Sequence, residues 1–179
     1  MTPRLIRAAE LRPRPWPNGL GTTRDVAEGP GWLISIADLG GEAAFSHFPE
    51  TDRIFTPVAG EGGTLTLEGH PIPCRPLVPV LFPGDRPAHY VPAGGLGRAF
   101  NLFIRRGAGE GRVQACRIAA SDGARLPGTA LALFCAEGVL DVGGERLEAG
   151  DTLLHPGATA LRAPGGPAAA IVVEWLPVG

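Results

Sequence analysis

The chain contains no lysine: all 16 of its basic residues are arginine. That absence excludes a Schiff-base lysine and a phosphate-loop lysine outright. Cysteine is scarce. Cys74, Cys116 and Cys135 are far apart, odd in number and form no CxxC pair, so they read as free thiols of a reducing cytoplasm rather than a disulfide framework. Excess charge of either sign is also missing. A net charge of -2 leaves no basic surplus to neutralise phosphates, and nucleic acid is not expected as a partner. No apolar run approaches membrane-spanning length, and no membrane partner is expected. The first residues, MTPRLIRAAELRPRPWP, carry arginines but no apolar stretch, so the expectation is a cytoplasmic chain without a secretory signal.

What the chain does have is apolar residue and turns. Hydrophobic residues make up 44% of 179 positions and charged residues 19%, a balance that folds rather than staying disordered. This length suits one domain or two small fused halves sharing a core. Glycine (27) and proline (19) together form about a quarter of the chain and read as frequent tight turns. Short apolar or alternating runs recur between them. The predicted strands are residues 4–6, 22–27, 32–39, 45–48, 54–58, 63–67, 77–82, 88–91 and 98–105. GAGEG at 107–111 is the predicted linker. Strands resume at 112–118, 130–135, 139–142, 152–154, 159–162 and 169–175, with at most a short helix or turn near 119–124. The fold class is all-β.

The two halves echo each other. GEGGTLTLEG (60–69) followed by FPGDRPAH (82–89) matches AEGVLDVGG (136–144) followed by LEAGDTLLHPG (147–157), each a hairpin and then a Gly-Asp turn. This order resembles the cupin superfamily of jelly-roll barrels. Gly40, Ser46, Phe48, Arg53 and Gly60 keep the spacing of its first motif, with Ser46 and Phe48 at the two histidine positions and Arg53 at the glutamate. Pro92, Gly94, Gly97 and Asn101 keep the end of the second motif, with Gly97 at the histidine and Gly84 two residues early for the leading glycine. In the second half Gly150, Pro156 and Ala158 keep the scaffold, while Leu161 stands at the histidine position.

Every metal ligand of the cupin pattern is thus replaced. A metal site of three histidines and one glutamate needs neutral imidazoles and a carboxylate converging on one cation, whereas Arg53 would repel one. No metal and no cofactor are expected. A narrower resemblance is carried by WPNGLGTTRD (16–25), WLISIAD (32–38), FSHFPETDRIFTPVAG (45–60), FPGD (82–85) and FNLFIRRG (100–107). These blocks look like the HutD/Ves family, a fused bicupin associated with histidine utilisation, and cover most of residues 14–107. Leu20 departs from the histidine-utilisation branch, which commonly has glycine there. The resemblance implies two fused antiparallel jelly-roll barrels, residues 1–107 carrying a polar pocket and 108–179 forming the second half, with strands open to exchange between halves.

Candidate ligand-binding residues follow from these positions. Arg53 would point into the barrel and offer fixed donors to a carboxylate; the alternative is a salt bridge to Asp38, Asp52 or Asp85. Asn101 shares a strand face with Ala99, Phe103 and Arg105, and its amide both donates and accepts; the alternative is an inter-strand hydrogen bond. Arg105, near the strand end, is a further candidate; the alternative is solvated charge. Ser46 is aimed where a histidine would sit; His47, its neighbour, points to the opposite face and is a poor base for it. Asn18 and Thr23 are candidates for the pocket rim within a glycine-rich loop; the alternative is a hairpin turn with Trp16 on the core. No catalytic constellation is assembled by spacing.

The function expected is a metal-free, small-molecule-binding accessory or regulatory protein of histidine utilisation. Its ligand would be an anionic acyl- or formimidoyl-glutamate-type intermediate, the pathway being what the resemblance implies. Two competing classes are a metal-independent isomerase, epimerase or amide hydrolase, with His89, Asp38 or Glu50 as base if the fold brings one inward, and a protein-interaction module. A homodimer is compatible with each.

Overall fold

A computed structural model describes residues 2–16, 19–120 and 123–178. The chain divides into two compact units, one of Arg12–Gly109 and one joining the residues up to Leu11 with Glu110–Pro177.

The first unit holds two antiparallel sheets. The larger runs in the order Arg14–Pro15, Gly21–Gly29, Trp32–Leu39, Gly97–Arg105, Thr51–Ala59, Val80–Pro83. The smaller runs Ala43–Ala44, Ala88–Pro92, Gly63–Leu67, His70–Cys74. Phe55, Ala37, Ala99 and Phe82 from the larger sheet meet Leu65, Ala88, Tyr90 and Cys74 from the smaller in one core. The central strand Gly97–Arg105 is buried on both faces from Ala99 to Ile104. Its sequence, AFNLFI, is accordingly apolar at every position but one.

The second unit repeats the plan. A five-stranded sheet (Arg4–Ile6, Thr152–Leu154, Ala130–Glu137, Ala168–Pro177, Gly109–Ile118) accompanies a four-stranded one (Gly123–Arg125, Ala160–Arg162, Val139–Val142, Glu145–Glu148). Leu133, Cys135, Leu140, Val142, Leu147, Leu153 and Leu161 share its core. Leu161, the residue at a cupin histidine position, is a packing residue here.

Arg4–Ile6 pairs antiparallel with Thr152–Leu154, which moves the start of the chain out of the first half to which residues 1–107 were assigned. Asp151, 5% exposed, holds this segment in place: it accepts from Arg7 Nη1 at 2.7 Å, the Ala8 amide at 2.9 Å and the Glu148 amide at 3.0 Å. Burial alone would raise the Asp151 carboxyl, but these donors outweigh it and leave its pKa below the usual carboxylate value.

Several local expectations are corrected. Residues 45–48 form a loop, the adjoining strand being Ala43–Ala44; the Phe45 amide bonds Ala88 O and the Phe48 amide bonds Gly84 O. Residues 109–111 of the supposed linker belong to the strand Gly109–Ile118, and Gly107, at φ 79°, makes the turn. Among the described residues near 119–124 there is no helix; Gly123–Arg125 is a short edge strand, and the one short helical turn described is Ala8–Glu10. His70–Cys74 was hidden by Pro71 and Pro73, which are tolerated because this strand lies at the edge of its sheet.

Candidate functional site

A cavity of about 260 Å³ is lined by the inward face of the larger sheet in the first unit. The strand register explains which side chains meet there. Asp25 lies opposite Ser35, Ser35 opposite Asn101, and Asn101 opposite Phe55. One step along, Leu33 faces Phe103, Phe103 faces Arg53, and Arg53 faces Phe82. Because side chains alternate across a strand, these two rows present their residues to the same side. Phe45, Ser46 and Phe48 close the cavity from the loop before Thr51–Ala59, and Arg14, Pro15 and Trp16 line it from the sheet's other edge.

Arg53 is the dominant charge. It is 5% exposed, and Nε and Nη2 both donate to Asn101 Oδ1, at 3.0 and 2.7 Å. Two donors converging on one atom identify that atom as the amide oxygen, so the Asn101 amide nitrogen takes the other position, 3.5 Å from Ala99 O. The guanidinium carbon lies 4.1 Å from the centre of the Phe45 ring, 5.1 Å from Phe103, 5.6 Å from Phe82 and 5.7 Å from Phe55. Aromatic faces attract a cation without neutralising it.

The carboxylates that sequence offered as partners are engaged elsewhere. Asp38 is bound by Arg24 and by Arg98, the latter at 2.7 Å. Asp52 and Asp85 are bound by Arg106 at 2.8 and 2.6 Å. Arg53 therefore has no carboxylate partner among the described residues. Burial without a counter-ion lowers its pKa to about 9, so it remains a cation at neutral pH.

The other candidates divide. Asn101, 1% exposed, and Thr23 line the cavity. Thr23 Oγ1 accepts from Trp16 Nε1 at 2.7 Å and fixes that ring at the rim. Ser46 also lines the cavity, but it is an exposed loop residue and not a strand residue pointing inward. Arg105 is exposed at its strand end and does not line the cavity, because the chain leaves the sheet there for the turn at Gly107. Asn18 lies outside the described residues.

The structure adds Ser35, 2% exposed, along with Asp25 and Phe45. Ser35 had a signal in the sequence, a lone hydroxyl in the apolar strand WLISIAD, but the register opposite Asn101 was needed to use it.

Two further chemistries can be tested against these residues. Two guanidinium groups, aromatic rings, hydroxyls and one carboxylate already paired with Arg14 are a set unsuited to a metal cation, which needs several anionic or imidazole donors converging on it. Among the described residues no three His, Cys, Asp or Glu side chains converge. As for a general base, His89 Nε2 sits 3.2 Å from Glu42 Oε1, Asp38 is held by its arginines, and Glu50 is exposed; none lines the cavity.

The HutD family model matches residues 8–172. The chain belongs to the HutD family. It is 36% identical over 109 residues, 55% of its length, to an uncharacterized 21.2 kDa protein in the hutC 3' region of Pseudomonas putida. It is 32% identical over 102 residues, 51% of its length, to the protein Ves of Cronobacter sakazakii. These alignments span about half the length of those relatives, 56% and 54%.

Two solved structures match almost end to end. A conserved protein of unknown function from Pseudomonas aeruginosa PAO1 superposes with TM-score 0.86 at 29% identity, covering 99% of this chain and all of that one. HutD from Pseudomonas fluorescens SBW25 superposes with TM-score 0.79 at 25% identity, with the same coverage. A cupin 2 conserved barrel domain protein from Leptotrichia buccalis, 11% identical with TM-score 0.58, covers 96% of this chain and 95% of that one and shares the fold. This HutD chain is the all-β bicupin that the HutD/Ves resemblance implies, in the context of histidine utilisation.

Proposed function

We propose that this HutD protein is a metal-free, small-molecule-binding accessory or regulatory protein of histidine utilisation. Its ligand is an anionic acyl- or formimidoyl-glutamate-type intermediate held in the cavity of the first unit. One observation carries the reading: a buried arginine lines a cavity while Asp38, Asp52 and Asp85 are each engaged by other arginines. A buried cation without a counter-ion is costly, and a ligand carboxylate would reduce that cost through charge-assisted hydrogen bonds. The Asn101 amide nitrogen and the Ser35 hydroxyl supply neutral donors beside it. The aromatic rings around Arg53 bury it, and the low local dielectric they create strengthens the pairing.

Binding without turnover is the favoured form. The one carboxylate lining the cavity among the described residues, Asp25, is engaged with Arg14, and no imidazole lines it. The test is calorimetry of the full chain with N-formyl- and N-formimidoyl-glutamate, followed by a turnover assay on any hit. One-site binding without product formation is the expected result. Product formation would transfer the cavity to the enzyme class, and failure of every small carboxylate to bind would overturn the reading.

A further inference from the structure

Three charged side chains line the cavity among the described residues: Arg53, Arg14 and Asp25. Arg53 is buried and faces no carboxylate. Arg14 and Asp25 are exposed at the mouth, where Arg14 Nη2 donates to Asp25 Oδ2 at 2.6 Å. The rim pair cancels itself, so the cavity as a whole carries one uncompensated positive charge.

The position of that pair matters. Asp25 sits in the register row Asp25–Ser35–Asn101, two strands from the residue that anchors Arg53. With strands about 4.8 Å apart, it stands roughly 10 Å from Asn101. A short-chain ligand whose first carboxylate meets Arg53 therefore brings its distal group to Asp25 and Arg14. A second carboxylate arriving there is repelled by Asp25 and must share Arg14 with it, so the neutral rim pair offers it no net attraction. A neutral amide, or a cationic N–H donor balanced by a further carboxylate, meets no such conflict.

We propose that Asp25, by holding Arg14, makes this cavity a site for ligands of net single negative charge and discriminates against dianions. The proposal rests on the anion-binding reading above and narrows its ligand class to the formimidoyl-glutamate type, whose cationic amidinium offsets one of its two carboxylates, over the acyl-glutamate type, which is a dianion. It makes Asp25 the specificity-determining residue and Arg53 the affinity-determining one.

Glutarate and glutaramate are matched probes, equal in length and differing by one charge. In low-salt calorimetry with the full chain, glutaramate is expected to bind about ten-fold more tightly than glutarate, the scale of one charged hydrogen bond. In Asp25→Asn, Arg14 is released to the second carboxylate: glutarate gains about ten-fold, glutaramate moves by less than about three-fold, and the preference disappears. In the double variant Asp25→Asn, Arg14→Gln the gain for glutarate is lost again. Both side chains are exposed, so these variants keep the fold. Equal binding of the two probes by the unaltered protein, or an unchanged ratio in Asp25→Asn, overturns the proposal; anion binding stands if that binding still depends on Arg53. Binding of neither probe overturns both.

Discussion

Asn101 gives Arg53 an oxygen to bond but no charge to cancel, and this distinction governs the cavity. The two contacts, at 2.7 and 3.0 Å, fix the guanidinium plane while leaving its positive charge for a ligand. Replacing Asn101 by Asp supplies an internal carboxylate at the same place. Asn101→Asp is therefore expected to keep or raise the melting temperature while weakening small-carboxylate binding by at least about thirty-fold, since the cation is already satisfied. A variant that binds the anion normally would mean that the charge of Arg53 is not what attracts it.

The neutral hydroxyls rank by burial. Ser35→Ala should raise Kd by about two- to ten-fold, and Ser46→Ala, at the exposed mouth, by less than about two-fold; the reverse order in calorimetry would contradict the placement of the ligand beside Ser35. At this scale the sequence carried Arg53 and Asn101, because the cupin spacing assigns a direction to each. It did not carry the absence of a carboxylate partner. That depends on where Arg24, Arg98 and Arg106 spend their own hydrogen bonds, which no local pattern reports.

Among the elements, the N-terminal strand is tied to its sheet by its ladder with Thr152–Leu154 and by one buried side chain, Asp151. Asp151 joins Arg7 and the Ala8 amide to its own turn, and at Gly150, φ +99°, an added Cβ would stand 2.9 Å from that of Ala8. The Asp151 pKa is depressed in the folded chain. Its contribution is therefore complete above the unfolded carboxyl value, near 4, and lost as pH falls through the lower folded value. Asp151→Asn should cost about 1–3 kcal/mol at neutral pH, with the deficit shrinking as the medium is acidified toward the folded pKa. Thermal melts of both proteins across pH 7 to 3 check this; a deficit independent of pH would show that charge is not involved. Strand legibility followed the same physics. Residues 32–39 and 63–67 were readable to the residue because alternation and turn signals agree. His70–Cys74 was not, since an edge position removes the penalty that proline normally signals. The loop at 45–48 was not either, because its apolar residues serve the cavity wall rather than a ladder.

For the molecule as a whole, turn chemistry carried the architecture further than propensity did. The Gly-Asp turns repeated in both halves suggest two copies of one β-unit, and the resemblance of the ordered blocks to the HutD family implies two barrels. The resemblance leaves strand exchange between halves open, but that residues 2–11 make it lies beyond any local pattern, because Arg4–Ile6 pairs with residues about 150 positions away. The thiols allow a check at this scale. Cys74, Cys116 and Cys135 are free, and burial raises all three pKa values, Cys135 to about 12. Native labelling near pH 8 should be slow, Cys116 reacting first as the one only partly buried, and denaturation without reductant should release all three. A disulfide, or rapid native labelling of Cys135, would contradict this packing.

The most direct test of the central claim is the affinity of Arg53→Ala for the best-binding small carboxylate, measured by calorimetry beside its melting curve. The account predicts a folded protein whose binding is weaker by about 1.5–3 kcal/mol. Unchanged affinity in the folded variant would contradict it, and loss of folding in Arg53→Ala while Arg53→Met folds and binds normally would reassign Arg53 to the core.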